Sequence, residues 1–298
     1  MDMFRSATAF NANIGLWNTA SVTNMWRCLC TGPKRWDHNG DPKSAERDYR
    51  PQRIILVRHG ESKGNVDESA YVTTADWRIP LTEKGLNQAG SAGRQLRTLM
   101  GDEGTVKFYV SPYVRTLQTL DAIRSHIDET RIIGIREEPR ICEQQFGNFQ
   151  DVEEVLRAKK DRNEFGRFFY RFPSGESGLD VYNRVSSFIS TVLRDCHQYH
   201  SKGHDLQKTD IVIVTHGLTL RLFLMRWFQF SVEEFEETRN PANARLVTLS
   251  KKSDPRSGRK WFELEDEARQ ALHIPTFRGN PSDVQLHPKG HHCPSDHH

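Results

Sequence analysis

The sequence predicts an α/β fold, a three-layer sandwich with a mostly parallel central sheet and helices on both faces. Two observations carry this. Short runs of β-formers alternate with segments of helical period along most of the chain. Two of those runs, Ile54-Ile-Leu-Val57 and Ile211-Val-Ile-Val214, are unbroken apolar stretches, as expected of strands covered on both faces.

The elements follow in order. Arg53 to His59 lies between Pro51 and Gly60 and reads as a buried strand. Thr82 to Met100 places Leu86, Ala89, Gly93, Leu96 and Met100 at spacings of three and four, with Thr82 as a helix start and Gly101 as a stop. Val106 to Val110 is a second strand, Arg115 to Ile127 a helix, and Ile132 to Ile135 a third strand. Leu179 to Cys196 is a helix with Tyr182, Val185, Ile189, Val192 and Cys196 on one face. Asp210 to Thr215 is a strand, a helix follows from Leu218, and Arg245 to Leu249 is expected as the last strand. No internal repeat is evident.

The domain so read spans residues 51–250. Residues 1–50 lack either period, and Met3 to Arg35 holds basic residues but no acidic one, which fits a disordered tail or an organelle transit segment. Cys28 and Cys30 have no second ligand pair at zinc spacing. Residues 251–298 read as a C-terminal extension, a polar hairpin-like stretch and then a His- and Pro-rich end expected to be disordered.

Composition narrows the function. The 298 residues carry a net charge of +3, but residues 51–250 hold 27 basic and 27 acidic side chains, so the surplus belongs to the ends. That argues against a nucleic-acid partner, which needs a basic stripe. No apolar run approaches the ~20 residues that span a bilayer, so no membrane is expected. Five scattered cysteines fit a reducing compartment. A cytoplasmic location is expected, or a plastid or mitochondrion if the N-terminal segment is a transit peptide.

In open α/β sheets ligands bind beyond the carboxyl ends of the strands. Those ends carry Arg58-His59-Gly60-Glu61-Ser62, Ser111-Pro-Tyr-Val-Arg115-Thr116, Arg140-Ile-Cys-Glu143 and Thr215-His216-Gly217. Arginine offers planar, permanently charged donors to a phosphoryl group. Neutral histidine is a nucleophile toward phosphorus, and neighbouring guanidinium charge keeps it neutral. A second histidine donates to a phosphoryl oxygen, and a glutamate protonates the leaving oxygen. Gly60 and Gly217 are expected to leave room for backbone to approach the phosphate. Taken singly, each residue is an ordinary turn, a buried histidine or a surface charge. Their joint arrival in this order makes chance improbable.

These motifs resemble the histidine phosphatase superfamily, with its phosphoglycerate-mutase-like fold. The matching stretches are Leu56-Val-Arg-His-Gly-Glu-Ser62 with Asn65, Ser111-Pro-Tyr-Val-Arg-Thr116, Glu143-Gln-Gln-Phe-Gly147 and Val214-Thr-His-Gly217. Phe146 to Gln150, Phe168 to Arg171 and Gly175 to Tyr182 are similar to plant phosphoglycerate-mutase-like proteins and a yeast broad-range acid phosphatase. The resemblance implies His59 as phosphate-accepting nucleophile and Glu143 as proton donor. Arg58, Arg115 and His216 would complete the phosphate pocket, with Ser62, Asn65 and Gly217 as substrate contacts. It implies a small phosphorylated substrate, with no metal or other cofactor.

The expected reaction is hydrolysis of a phosphomonoester through phosphohistidine. The alternatives are a phosphoglycerate mutase and a non-catalytic phosphate-binding or interaction module. Mutases of the family carry an Arg-His-Tyr-Gly type stretch after the acid glutamate, where this chain has Gln144-Gln-Phe-Gly147. The full set of site residues speaks against the module. No Gly-x-x-x-x-Gly-Lys-Ser/Thr loop is present, which excludes a fused kinase of that type. The resemblance also makes Asp151 to Arg171 a small helical cap over the pocket. Its basic residues are balanced by acidic ones, so it is expected to present a solvated face. Glu176 receives no role.

Overall fold

A computed structural model describes residues 48–147, 151–256 and 260–274. Six strands form one sheet: β1 (Arg53–Arg58), β2 (Thr105–Val110), β3 (Ile132–Glu137), β4 (Thr209–Thr215), β5 (Leu246–Ser253) and β6 (Lys260–Leu264). Their spatial order is β3-β2-β4-β1-β5-β6. The four strands β3, β2, β4 and β1 run parallel, while β5 and β6 add antiparallel pairs. The sheet is mixed and mostly parallel, as the alternation predicts.

The strand pleat divides the core in two. Ile54, Leu56, Ile211 and Ile213 face one side with Tyr109, Val247 and Leu249. There they meet α4 (Gly178–Ser201) and α5 (Gly217–Phe228), through Val181, Val185, Phe188 and Leu222 among others. Ile55, Val57, Phe108, Val212 and Val214 face the other side. They meet α1 (Glu83–Met100) and α2 (Val114–Arg124) through Ala92, Leu96, Leu120 and Ile123. All seven residues of β4 are buried, because both its faces and both its edges are covered. The remaining long helix, α3 (Val152–Phe165), buries Val155 and Ala158.

Local signals place the helix ends. Thr82 caps α1 by accepting from the Gly85 N–H. Ser177 and Asp180 form a reciprocal capping box at the start of α4.

The domain ends differ from the sequence expectation. The sheet does not stop at β5, because β6 pairs with it, and Leu264, Ala268, Leu272 and Ile274 belong to the core beside α4 and α5. An end at residue 250 therefore falls short. At the other end Asp48 pairs with Lys260 at 2.9 Å and Lys251 at 3.2 Å, tying residues before 51 to the sheet edge. The expectations for residues 1–47, with Cys28 and Cys30, for Asn148, Phe149 and Gln150, and for the His- and Pro-rich 275–298 lie outside the described residues.

Candidate active site

The register of the parallel strands brings the motif residues together. Arg58 is level with Thr215 across the β1–β4 pair, and Val110 with Val214 across β2–β4. The ladder continues one step further: the His59 N–H donates to the Thr215 carbonyl at 2.9 Å, and the Ser111 N–H to the Val214 carbonyl at 3.0 Å. His59 and His216 thus leave adjacent strands at one level, with ring centroids 5.2 Å apart. His59 is 4% exposed and His216 fully buried.

The His59 Nδ1 lies 2.7 Å from the carbonyl oxygen of Gly60. A carbonyl only accepts, so Nδ1 carries the proton and the neutral ring's lone pair sits on Nε2. Burial first, then the charges of Arg115 and Arg58, hold this imidazole well below the usual histidine range. Burial first, then Arg115, His59, Arg184 and Arg58, depress His216. The Nε2 of His216 shares a hydrogen bond of 2.8 Å with the Ser111 hydroxyl, while its buried Nδ1 has no partner among the described residues.

Arg58 donates to the Pro241 carbonyl at 2.9 Å, and its buried Nε is unpartnered among the described residues. Arg115, on the first turn of α2, donates to the Asp76 carbonyl at 2.6 Å and pairs with the Asp76 carboxylate at 2.9 Å. Glu143 is delivered by the loop after β3. Thr215 and Thr219 hydroxyls donate to the carbonyls of Ile141 and Cys142, both at 2.7 Å. The Glu143 carboxylate then meets the N–H groups of Leu218 and Thr219 at 3.4 Å and the Thr219 hydroxyl at 3.2 Å.

That loop is clamped by residues to which the sequence gives no role. Arg184, on α4, donates to the carbonyls of Arg140, Cys142 and Glu143, and pairs with Glu176 at 3.0 Å. Glu176 also accepts from the Gln145 N–H at 3.1 Å. A lone arginine on a helix face gives no sequence signal of such a task.

Arg58, His59, Asn65, Arg115 and Glu143 line one cavity of about 510 Å³. Two expected substrate contacts do not line it. Ser62 is buried at the start of the short helix Lys63–Val66, where its N–H donates to Asn65 Oδ1 at 3.1 Å. Gly217 makes room for a protein neighbour: a Cβ there would stand 2.7 Å from the Asn240 side chain, which itself lines the cavity. Gly60 likewise makes room for protein. A Cβ on it would overlap the Gly85 carbonyl, and one on Gly85 would overlap the Glu61 carbonyl. These glycines let α1 press against the His59 loop. Gly85→Ala is therefore expected to cost about 2 kcal/mol and to lower kcat by displacing His59. Urea unfolding and steady-state rates check both.

The cap helix corrects a second expectation. Arg157, Lys160 and Arg171 are solvated, but Lys159, Arg162 and Arg167 line the cavity. Lys159 pairs with Glu68 at 2.7 Å, and its ammonium lies over the rings of Tyr71 and Phe146. Arg221, from α5, lines the same cavity and is 4% exposed.

Comparison with known proteins agrees with this fold. The family model of the histidine phosphatase superfamily (branch 1) matches residues 54–263, and the chain belongs to that superfamily. A phosphoglycerate mutase-like protein of Arabidopsis thaliana is 50% identical over 211 residues, 69% of this chain and 67% of that one. A broad-range acid phosphatase of Saccharomyces cerevisiae is 28% identical over 288 residues, covering 67% of this chain and 85% of that one. A solved structure of mycobacterial glucosyl-3-phosphoglycerate phosphatase with VO3 superposes with a TM-score of 0.55 at 20% identity, over 72% of this chain and 98% of that one, a likeness of fold. No helix among the described residues is long and apolar enough to cross a membrane.

Proposed function

We propose that this protein hydrolyses phosphomonoesters of small molecules through a phosphohistidine on His59, without a metal. The observation that carries the reading is the His59 ring: neutral, its tautomer set by the Gly60 carbonyl, and under the charges of Arg115 and Arg58. The two guanidinium groups hold the phosphoryl oxygens. With the Ser111 hydroxyl donating to Nε2 of His216, the unpartnered Nδ1–H of that ring is left to donate to a third oxygen. His59 Nε2 attacks phosphorus, the ester P–O bond breaks, and the alcohol oxygen takes a proton from Glu143. Water, giving a proton back to Glu143, then attacks the phosphohistidine and frees His59 and inorganic phosphate. The relationship to a broad-range acid phosphatase supports hydrolysis.

The test sets two reactions side by side. Release of phosphate from p-nitrophenyl phosphate is expected to exceed isomerisation of 3-phosphoglycerate primed with 2,3-bisphosphoglycerate by an order of magnitude or more. The reverse ranking makes the protein a mutase, and neither reaction makes it a binding module.

The depressed histidines set the pH dependence. Free imidazole titrates near 6.5, whereas folded His59 and His216 stay neutral below that. Below about pH 6.5 the unfolded chain binds more protons than the folded one, so stability rises with pH. Their stabilising contribution is intact above about pH 6.5 and is lost as pH falls toward the folded values, by up to about 1.4 kcal/mol per pH unit for each ring. Urea midpoints measured from about pH 7.5 down to about 5 are expected to fall, and less steeply in His59→Ala. Over the same range kcat/KM, corrected for ionisation of the substrate, is expected to show no inflection near 6.5.

A further inference from the structure

The cavity holds far more positive charge than one phosphoryl group requires. Seven basic and two acidic side chains line it. Lys159 is matched by Glu68, and Arg115 by Asp76. Arg58 and Arg115 are the cations whose charge acts on His59. Of the remaining four, Arg239 is exposed, and the other three form a second group.

Arg162, Arg167 and Arg221 make that group. They lie close enough for each of Arg162 and Arg221 to feel the charge of Arg167 and, in the case of Arg221, of Arg162 as well. None of the three makes an ion pair within 4 Å among the described residues; the opposing charges that act on Arg162 and Arg221 are those of Glu143 and Glu236. Arg221 is buried, donates through one terminal nitrogen to the Thr238 carbonyl and hydroxyl at 2.9 and 3.1 Å, and leaves its Nε without a partner among the described residues. Arg167 has only long bonds, 3.3 and 3.5 Å, to the carbonyls of Glu236 and Thr238. The Arg162 side chain makes no hydrogen bond among the described residues and rests on the Phe172 ring at 5.5 Å, its Nε buried and unpartnered. Three like charges gathered at one wall, with donor capacity unspent, are a costly arrangement without an anion between them. Burial pushes both Arg162 and Arg221 down from the usual guanidinium range, the direction expected of cations short of a counter-charge.

We propose that the natural substrate carries a second phosphate, which docks against Arg162, Arg167 and Arg221 while the first is transferred to His59. The inference rests on the phosphatase reading and adds the substrate class, a small bisphosphate. A phosphate suits the site because three guanidinium groups offer more charge and more donors than a single carboxylate takes up. Glu143 lines the same cavity as both groups, and its charge acts on Arg58 as well as on Arg162 and Arg221.

Three phosphate esters of primary four-carbon alcohols test this: butyl phosphate, 4-phosphooxybutanoate and the bisphosphate of 1,4-butanediol. The wild-type protein is expected to turn over the bisphosphate with a kcat/KM at least about tenfold above butyl phosphate, mostly through KM, with the carboxylate between. Arg162→Met, which breaks no hydrogen bond of the fold, is expected to erase most of that preference while lowering the rate on butyl phosphate far less. Arg167→Met is expected to act in the same direction. Equal turnover of all three esters, a preference for the carboxylate, or a bisphosphate preference untouched by both substitutions overturns the proposal. If no ester is hydrolysed, the phosphatase reading fails. Calorimetric binding of the same three esters then decides the subsite separately: tighter bisphosphate binding that Arg162→Met removes sustains it, and equal binding overturns it.

Discussion

His59→Ala is expected to lower kcat/KM for p-nitrophenyl phosphate by at least about 10⁴-fold. The substitution removes the atom proposed to attack phosphorus, while Arg58 and Arg115 still line the cavity and His216 is unchanged. Orthovanadate binding is therefore expected to weaken far less than turnover. The magnitude separates two roles. A histidine that only takes a proton from water contributes about 10²–10⁴-fold, and its loss leaves a measurable slow reaction. A nucleophile's loss also removes the covalent route. Circular dichroism of the variant checks that the buried site still folds. Activity equal to wild type removes His59 from the mechanism.

Glu143→Gln is expected to slow alkyl phosphates by about 10²–10⁴-fold in kcat/KM and p-nitrophenyl phosphate hardly at all. An alkoxide needs a proton as it leaves, whereas p-nitrophenolate is a stable anion at neutral pH. The comparison uses kcat/KM because that ratio covers the steps up to departure of the alcohol, before water attacks the phosphohistidine. Glutamine keeps one acceptor oxygen for the Thr219 N–H and hydroxyl and gives up only the 3.4 Å contact with the Leu218 N–H, so the loop stays in place. Equal slowing of both substrate types contradicts the role of proton donor and points to a lost positioning contact instead.

Much of this site was legible in the sequence because it depends on strand ends. β1 and β4 are buried on both faces, which leaves unbroken apolar runs whose ends are easy to see, and parallel pairing gathers those ends on one side of the sheet. Arg58, His59, Arg115, Glu143 and His216 come together for that reason. What escaped depends on contacts between distant segments. Gly60 and Gly217 read as space for phosphate, but Gly85 and Asn240 fill the space. β6 is a short edge strand rich in charge, with Lys260 and Glu263, and it reads as a polar tail until its partner β5 is in place.

The cap shows a signal that was present but weak. On α3, Lys159 and Arg162 follow the buried Val155 and Ala158 at helical spacing, so the face that packs inward is the face that carries them. The apolar stripe is too short to orient the helix by itself, and balancing its charges against Asp161 and Glu164 hides which of them point inward. Arg221 was the plainer clue. An arginine within the most apolar of the described long helices, five residues after His216, needs a polar task. Arg184 and Glu176 gave no such clue, because Arg184 donates to the carbonyls, and the Glu176 carboxylate accepts from an N–H, of a loop more than thirty residues away.

Covalent transfer of phosphate to His59 is tested by mixing the protein with a phosphomonoester, quenching in alkali within one turnover and mapping the modified peptide by mass spectrometry. The result expected is a phosphoryl group on His59 that accumulates before steady state, persists in alkali, is lost in acid and is absent from His59→Ala. Burst-free turnover with no phosphorylated peptide, or phosphate carried by a residue other than His59, would contradict it.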